Sequence, residues 1–329
     1  GAGGNATALL IGDATAGTGG SGGNAGNGGS AGIAGADGTV SAMPTATTST
    51  GSDLRGVAVS SDGSRIYVVS SGTDSVSVLD GTTQAVITTI NVGTTPYSVA
   101  LSADGSIAYV TNYDDGTVSV IDTSNNTVTG IITVGVNPTT VAFSPTQDKA
   151  YVTNSGSGTV SVIDTTSGTV TNSLVLAGAE SVVFTPDGSR AFVGSSAGTV
   201  TVYDTTTDSV LTTLAPGGDL AAIAITPDGS ATYIVDTAGR VLVYDAATYA
   251  LTTTITVGVL PDVIVASPDG AVVYVASSDG AGVIQVISTT TNTVIGSIAY
   301  STVNGIGISP SNKTLYVPIF SGSVIALPV

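Results

Sequence analysis

One motif recurs along most of the chain, and its spacing constrains the fold more than any other feature of the sequence. An aromatic residue followed by a β-branched residue returns every 41 or 42 residues. The seven copies are Tyr67-Val68, Tyr109-Val110, Tyr151-Val152, Phe192-Val193, Tyr233-Ile234, Tyr274-Val275 and Tyr316-Val317. A repeat of this length indicates seven copies of one structural unit.

Each unit has the same order of segments. A short apolar segment such as Val99-Ala-Leu101 ends in a turn and is followed by the aromatic segment. A loop then leads to an alternating segment such as Thr117–Asp122, and a Thr-rich turn leads to a last segment such as 128–134. Alternation with period two and many β-branched residues indicate strands, and no window has helical periodicity. Four strands per repeat predict an all-β fold, a seven-bladed β-propeller with four-stranded blades.

The seventh unit ends after its third strand, which covers residues 323–327. That blade would lack an outer strand and would leave an unpaired edge. Residues 39–47 resemble the missing strand in composition. We therefore predict that 39–47 pair with 323–327 and close the ring, so that the propeller spans residues 39–329.

Residues 1–38 form a separate Gly-rich segment. From Ala16 to Thr39, glycine occupies the middle place of every triplet, and the stretch contains no proline. Collagen needs abundant proline, so a collagen helix is excluded. Two alternatives stay open: extended three-residue helices that pack on each other or on the propeller, or a flexible linker.

Composition narrows the possible chemistry and partners. The chain has no His, which excludes the commonest general base, the Ser–His pair and the usual zinc ligand. It has no Cys, which excludes disulfides and cysteine zinc ligands. Six basic residues against 23 acidic ones give a net charge of -17, which disfavours nucleic acid and anionic membranes. No apolar run reaches the ~18 residues of a membrane-spanning helix. We predict no cofactor, no metal site, no nucleic-acid partner and no membrane span.

Two segments resemble known families. The phrases Tyr109-Val-Thr-Asn112 and Tyr151-Val-Thr-Asn154, each followed by Gly-Thr-Val-Ser-Val-Ile-Asp and later by Val-Gly-x-x-Pro, resemble the YVTN-family propeller repeat, and the likeness covers residues 50–329. The triplet segment, with residues 3–12 ahead of it, resembles the Gly-rich region of mycobacterial PE-PGRS proteins. This resemblance implies a secreted, cell-envelope protein. It also implies an upstream PE domain, missing from this chain, that is responsible for secretion and anchoring. It implies no reaction. Because the chain starts at Gly1 without Met or a signal peptide, we expect a fragment whose targeting segment lies upstream.

Aspartates recur at two turn positions. Five close the third strand, and five begin Asp-Gly pairs: Asp80, Asp122, Asp164, Asp204 and Asp245, and then Asp62, Asp104, Asp187, Asp228 and Asp269. They could form a ring of cation ligands or turns in which the carboxylate accepts a backbone N–H. Their recurrence favours turns, which we expect on opposite faces of the ring. No loop offers the six or more oxygens that calcium takes, so we expect no tight calcium site.

The positions that differ between repeats indicate a binding site. The second residue before each first strand is Arg55, Tyr97, Thr139, Glu180, Ala221, Asp262 or Asn304. In a propeller these residues would surround one mouth of the central channel. Two interpretations stay open: recognition of an asymmetric ligand, which would need this variety, and free drift of loop residues that nothing constrains. We predict that Arg55, Tyr97, Glu180, Asp262 and Asn304 bind the ligand, with Tyr97 offering an aromatic face and Arg55 a fixed cation.

Three classes of function follow from these features. The first is a non-catalytic binding or adhesion module that presents a rigid propeller to a host or envelope protein, glycan or lipid. The second is a lactonase-like hydrolase with Glu180 and Asp262 as acid and base, which requires their carboxyl groups to lie within roughly 10 Å. The third is an inert structural component of the envelope. The absence of His favours the first class, and we predict no catalytic residues.

Overall fold

The computed structural model describes residues 39–40, 46–258, 260–277, 283–299 and 303–329. Two short strands precede the repeats, β1 (Thr39–Val40) and β2 (Ala46–Ser49). Blade 1 holds β3 (Leu54–Val59), β4 (Arg65–Ser70), β5 (Ser75–Asp80) and β6 (Val86–Asn91), with one 3-10 turn at Ser71–Thr73. Blade 2 holds β7 (Pro96–Leu101), β8 (Ile107–Asn112), β9 (Thr117–Asp122) and β10 (Thr127–Thr133). Blade 3 holds β11 (Pro138–Phe143), β12 (Lys149–Asn154), β13 (Thr159–Asp164) and β14 (Thr169–Val175).

The remaining blades continue the same order. Blade 4 holds β15 (Ala179–Phe184), β16 (Arg190–Ser195), β17 (Thr199–Asp204) and β18 (Ser209–Leu214). Blade 5 holds β19 (Leu220–Ile225), β20 (Ala231–Asp236), β21 (Arg240–Asp245) and β22 (Leu251–Thr256). Blade 6 holds β23 (Pro261–Ala266), β24 (Val272–Ser277), β25 (Val283–Ser288) and β26 (Thr293–Ala299). Blade 7 holds β27 (Gly307–Ile308), β28 (Thr314–Ile319) and β29 (Ser323–Pro328).

The strands of each blade pair antiparallel in chain order, which gives seven separate sheets. The first strands of blades 1 to 6 contact their neighbours in succession, blades 6 and 7 share one hydrophobic cluster, and β27 and β28 of blade 7 contact β3. The sheets therefore form a closed ring with the first strands innermost. The seven-bladed β-propeller predicted from the repeat is confirmed.

The aromatic residues of the repeat fill the core between blades. They lie on the second strand, which has a strand on each side and a neighbouring blade on each face, so they are at most 2% exposed. Several reach the next blade through a polar group. The hydroxyl of Tyr151 donates to Asp208 Oδ1 at 2.5 Å, and that of Tyr233 donates to Asn292 Oδ1 at 2.6 Å. Phe192 has no hydroxyl, and in that blade Arg190 donates to the Tyr249 hydroxyl at 3.3 Å instead.

The chain closes the ring with β2, which pairs antiparallel with β29 so that Ala46 lies opposite Ala326 and Ser49 opposite Ser323. The predicted range of 39–47 is wrong at both ends, because Thr39–Val40 pair in parallel with β26 of blade 6 and the closing strand continues to Ser49. The reason lies in the connection to β3. Residues 50–53 form that connection, with the amides of Thr50 and Asp53 bonded to blade 7, so the outer strand must end just before residue 50. Residues 1–38 and 41–45 lie outside the described residues, and the domain boundary at 38 stays a prediction.

Both sets of recurrent aspartates form the predicted turns. Asp80 accepts the amide of Thr82 at 2.9 Å, and Asp104 accepts the amide of Ser106 at 3.1 Å. Their expected placement on opposite faces is wrong. The third-strand turn bonds to the Asp-Gly hairpin of the same blade, as from the Thr123 amide to the Ser106 carbonyl at 3.1 Å. The two turns share a face because the first and third strands of an antiparallel sheet run in the same direction.

The pKa values of the hairpin aspartates predict the pH range in which the fold loses stability. Bonds from the Ser102 hydroxyl and the Ser106 amide and hydroxyl lower the pKa of Asp104 from 3.8 to about 2. A carboxyl with a depressed pKa stabilises the fold above its unfolded pKa, and the contribution is lost as the pH falls through the folded value. We expect melting temperatures followed by circular dichroism to fall mainly between about pH 4 and about pH 2. Asp104→Asn keeps the acceptor but cannot be protonated, so it should lose less over this interval; an equal loss would contradict this assignment.

Candidate functional site

The chain enters the inner strand of each blade through a turn of similar construction. In five blades a residue with left-handed φ comes first: Asp53, Thr95, Asn137, Gly178 and Leu260. A buried residue follows in all seven: Leu54, Pro96, Pro138, Ala179, Leu220, Pro261 and Val303. The next residue is the predicted mouth residue. The buried side chain therefore anchors the backbone directly before the residue that faces the channel mouth.

In six blades the mouth residue lies in a β-bulge. Regular pairing between the first two strands breaks between Leu54 and Val57 in blade 1 and between Ala179 and Ser181 in blade 4, and blades 2, 3, 5 and 6 break at the equivalent place. The sequence suggested that these residues precede the strand, but the strand begins at the buried anchor and contains them. A bulge re-aims the residue that it leaves unpaired. The bulges thus turn the mouth side chains away from the regular ladder.

All seven predicted mouth positions line one cavity of about 590 Å³. The structure therefore brings Arg55, Tyr97, Glu180, Asp262 and Asn304 together, although ligand binding by them stays a prediction. The same cavity is lined by Ser181, Ser196, Asp219 and Thr237, which the sequence did not single out. Asp219 precedes Ala221 by two residues, as Asp53 precedes Arg55. Aligning that position across the repeats would have found it.

Arg55 and Tyr97 are already partnered within the protein. The Arg55 guanidinium lies 3.2 Å from Asp53 Oδ2 and 5.2 Å from the centroid of the Tyr97 ring. The Tyr97 ring also packs against Tyr113, with centroids 5.9 Å apart. The expected fixed cation is therefore charge-balanced, and the expected aromatic face is covered in part by Arg55. We call Asp53, Arg55, Tyr97 and Tyr113 the Arg55–Tyr97 wall.

Thr139 and Asn304 use their polar groups to hold neighbouring blades. The Thr139 hydroxyl donates to the Glu180 carbonyl at 2.9 Å, and Thr140 and Thr153 donate to the same oxygen at 2.8 and 3.1 Å. These three bonds fix the backbone of Glu180 from blade 3. Asn304 Nδ2 donates to the Leu54 carbonyl at 2.9 Å, which ties blade 7 to the first turn of blade 1.

The other charged side chains that line the cavity are carboxylates, and we call Glu180, Asp219 and Asp262 the carboxylate arc. Burial raises the pKa of Glu180, and the charge of Asp219 raises it further. Burial also raises the pKa of Tyr97; Arg55 opposes that rise, and Glu180 and Asp262 add to it. Charged groups on both sides of the mouth therefore influence the pKa of the Tyr97 hydroxyl. One cation and three carboxylates line the cavity, so its charged side chains have a net formal charge of −2.

Two like charges in partial burial favour either a proton on Glu180 or a bound cation. The carboxylate whose charge acts on Glu180 is Asp219, whereas the hydrolase hypothesis paired Glu180 with Asp262. The described ranges contain no cluster of three or more acidic side chains that could hold a metal ion. They also contain no helix long and apolar enough to cross a membrane.

The similarity between this chain and known proteins is a similarity of fold. No protein-family model matches the sequence, and no curated protein does. A solved structure titled Kuenenia stuttgartiensis Hydrazine Synthase is similar, with a TM-score of 0.77 and 20% sequence identity over 84% of this chain and 96% of that one. At this identity the likeness supports the β-propeller architecture.

Proposed function

We propose that this protein is a secreted, non-catalytic binding module of the cell envelope, which holds part of a host or envelope protein, glycan or lipid in its channel mouth. The observation that carries this proposal is the ring of unlike residues at structurally equivalent positions. Five of the seven repeats keep each turn aspartate and all seven keep the buried aromatic residue, whereas the seven mouth positions carry seven different residue types around one cavity. A ring that served only packing would not need this variety.

The construction of the mouth also suits binding. Each mouth residue follows a buried anchor, and Glu180 is held further by three hydroxyl groups from blade 3. A preformed, concave site loses little conformational freedom when a ligand binds. Perturbed carboxyl and phenol pKa values are typical of functional clefts. The opposite face carries repeated aspartate turns, which have no comparable asymmetry.

The proposed location rests on the resemblance to PE-PGRS and YVTN-repeat proteins, in which an upstream PE domain would carry secretion and anchoring. A chain without His and Cys and with many Thr and Ser residues suits a hydrated, extracellular surface. A rigid ring also suits display, because its termini are tied together by the pairing of β2 with β29.

Blocking the mouth tests the proposal. Ala221→Trp puts a large side chain at the cavity wall, and Ala103→Trp puts the same side chain on an exposed hairpin of the opposite face. Wild type and both variants would be screened on arrays of glycans, lipids and envelope and host proteins. We expect Ala221→Trp to lose at least about tenfold in affinity for the bound component, while Ala103→Trp binds as wild type.

Circular dichroism melts would check that both variants fold, and Ser98→Trp provides a second obstruction at another point of the cavity wall. If folded Ala221→Trp and Ser98→Trp both bind with unchanged affinity, the mouth is not the binding site and the proposal fails.

A further inference from the structure

Building on the proposed function, we propose that the channel mouth selects a ligand that carries a primary alkylammonium group, and that this group binds at the carboxylate arc. A free polyamine and a lysine side chain share this chemistry. The Arg55–Tyr97 wall, on the other side of the mouth, would contact the remainder of the ligand.

The charge distribution gives the first reason. Among the described residues the ion pairs are Arg55–Asp53, Lys149–Asp208 and Arg240–Asp236, and none of them includes Glu180 or Asp219. The one cation that lines the cavity is thus balanced by a carboxylate outside the arc. Glu180 and Asp219 line the same cavity, where the charge of Asp219 acts unfavourably on that of Glu180, and a bound cation would relieve that repulsion.

A second and independent feature is the hydroxyl of Ser181, the residue after Glu180. Ser181 lines the same cavity and is 8% exposed. Its Oγ has no hydrogen-bond partner among the described residues. A buried hydroxyl without a partner is costly, and a ligand donor that reached it would remove that cost.

The second strand opposite Ser181 lacks a hydroxyl group that two other blades have at the equivalent position. In blades 2 and 3 a threonine on the second strand, Thr111 or Thr153, accepts a hydrogen bond from the amide of Ser98 or Thr140 at 3.0 Å. The equivalent residue in blade 4 is Gly194, directly opposite Ser181. A Cβ at Gly194 would lie 2.6 Å from Ser181 Oγ, so a side chain is missing where the other blades have a hydroxyl.

The arrangement of the acceptors favours ammonium over guanidinium. Glu180 and Asp262 come from the inner strands of blades 4 and 6, and Asp219 comes from the loop that enters blade 5. The carboxylates of the arc therefore come from three successive blades, and together they do not form a three-carboxylate cluster that could hold a metal ion. An ammonium group has three donors that can point to separate acceptors, whereas a planar guanidinium is best matched to one carboxylate in a bidentate pair.

Isothermal titration calorimetry tests this inference at physiological salt, with spermidine and the peptide acetyl-Lys-Lys-Lys-amide as separate probes. Fully N-acetylated spermidine is the uncharged control. We expect at least one charged probe to bind and the acetylated one to show no binding. Glu180→Gln and Asp219→Asn should each weaken the bound probe about tenfold, because each removes a charge-assisted hydrogen bond.

Asp122→Asn is the matched control, since it removes the same charge from an exposed turn on the opposite face and keeps the turn acceptor. We expect it to change affinity by less than about twofold, because charges beyond a Debye length are screened. Tighter binding of spermidine would identify a free polyamine as the source, and tighter binding of the peptide would identify lysine side chains.

Three results would overturn the inference: no binding of either charged probe, equal binding of the acetylated probe, or equal weakening by Asp122→Asn and Glu180→Gln. Its failure is distinguishable from failure of the proposed function. If Ala221→Trp abolishes binding of an array component while neither charged probe binds, the mouth is a ligand site for a different chemical class.

Discussion

Deleting residues 1–49 is expected to lower the melting temperature by roughly 10 °C, whereas deleting residues 1–45, which removes only the two-residue pairing of β1 with β26, should lower it much less. The longer deletion removes β2, whose four residues pair with β29. A lost hydrogen bond costs about 1 kcal/mol, so four of them amount to about 4 kcal/mol, and each kcal/mol shifts the melting temperature of a domain of this size class by about 2–4 °C. The shorter deletion keeps this pairing intact.

The deletion of β2 also leaves the backbone of β29 without a partner on its outer side. An unpaired edge strand is a template for association with other chains, so light scattering should show aggregation of the longer deletion alone. Calorimetric melts of the two truncated proteins at equal concentration provide the comparison. Coincident melting curves would show that β2 does not close the ring.

Replacing Asp208 by Ala is expected to lower the free energy of unfolding by about 3 kcal/mol, because a partly buried charge loses its partner. Lys149 Nζ lies 2.8 Å from Asp208 Oδ1, and the two side chains are only 18% and 13% exposed. The Tyr151 hydroxyl donates to the same oxygen at 2.5 Å. The substitution therefore removes the carboxylate that balances the Lys149 charge, which keeps only the Thr205 carbonyl as an acceptor, and it leaves the Tyr151 phenol without its acceptor at the seam between blades 3 and 4.

Asn292→Ala is the matched control, since Asn292 occupies the same turn position in blade 6 and accepts the Tyr233 hydroxyl at 2.6 Å. Both residues have left-handed φ, 54° for Asp208 and 52° for Asn292, so the backbone cost of alanine is shared. The control removes one neutral hydrogen bond and should cost about 1 kcal/mol before that shared backbone term is added. Equal losses in urea titrations would mean that the Lys149 charge does not depend on Asp208.

The periodicity of the sequence predicted the blades and the mouth positions for the same physical reason. Equivalent positions in a repeat occupy equivalent places in the ring, so aligning the repeats was enough to bring Arg55, Glu180 and Asp262 to one cavity. The alignment also identified the turn aspartates, because an Asx turn depends only on residues two or three apart.

Features that depend on the path of the backbone could not be read from that alignment. The bulges place the mouth residues inside the strands, and no residue type marks them in all six blades. The pairing of Arg55 with Asp53 and Tyr97 joins two different blades, so no single repeat reveals it. The closing strand lies outside the repeats, where composition alone could not separate 46–49 from 39–40.

Hydrogen exchange measured by mass spectrometry tests the central claim, that the mouth is the binding site, most directly. The protein would be compared with and without the array component that it binds most tightly. We predict slower exchange in peptides that cover 53–58, 178–183 and 218–223, where the bulged inner strands meet the cavity. Slower exchange confined to the outer strands β6, β10, β14 and β18, or to the aspartate turns of the opposite face, would contradict the account.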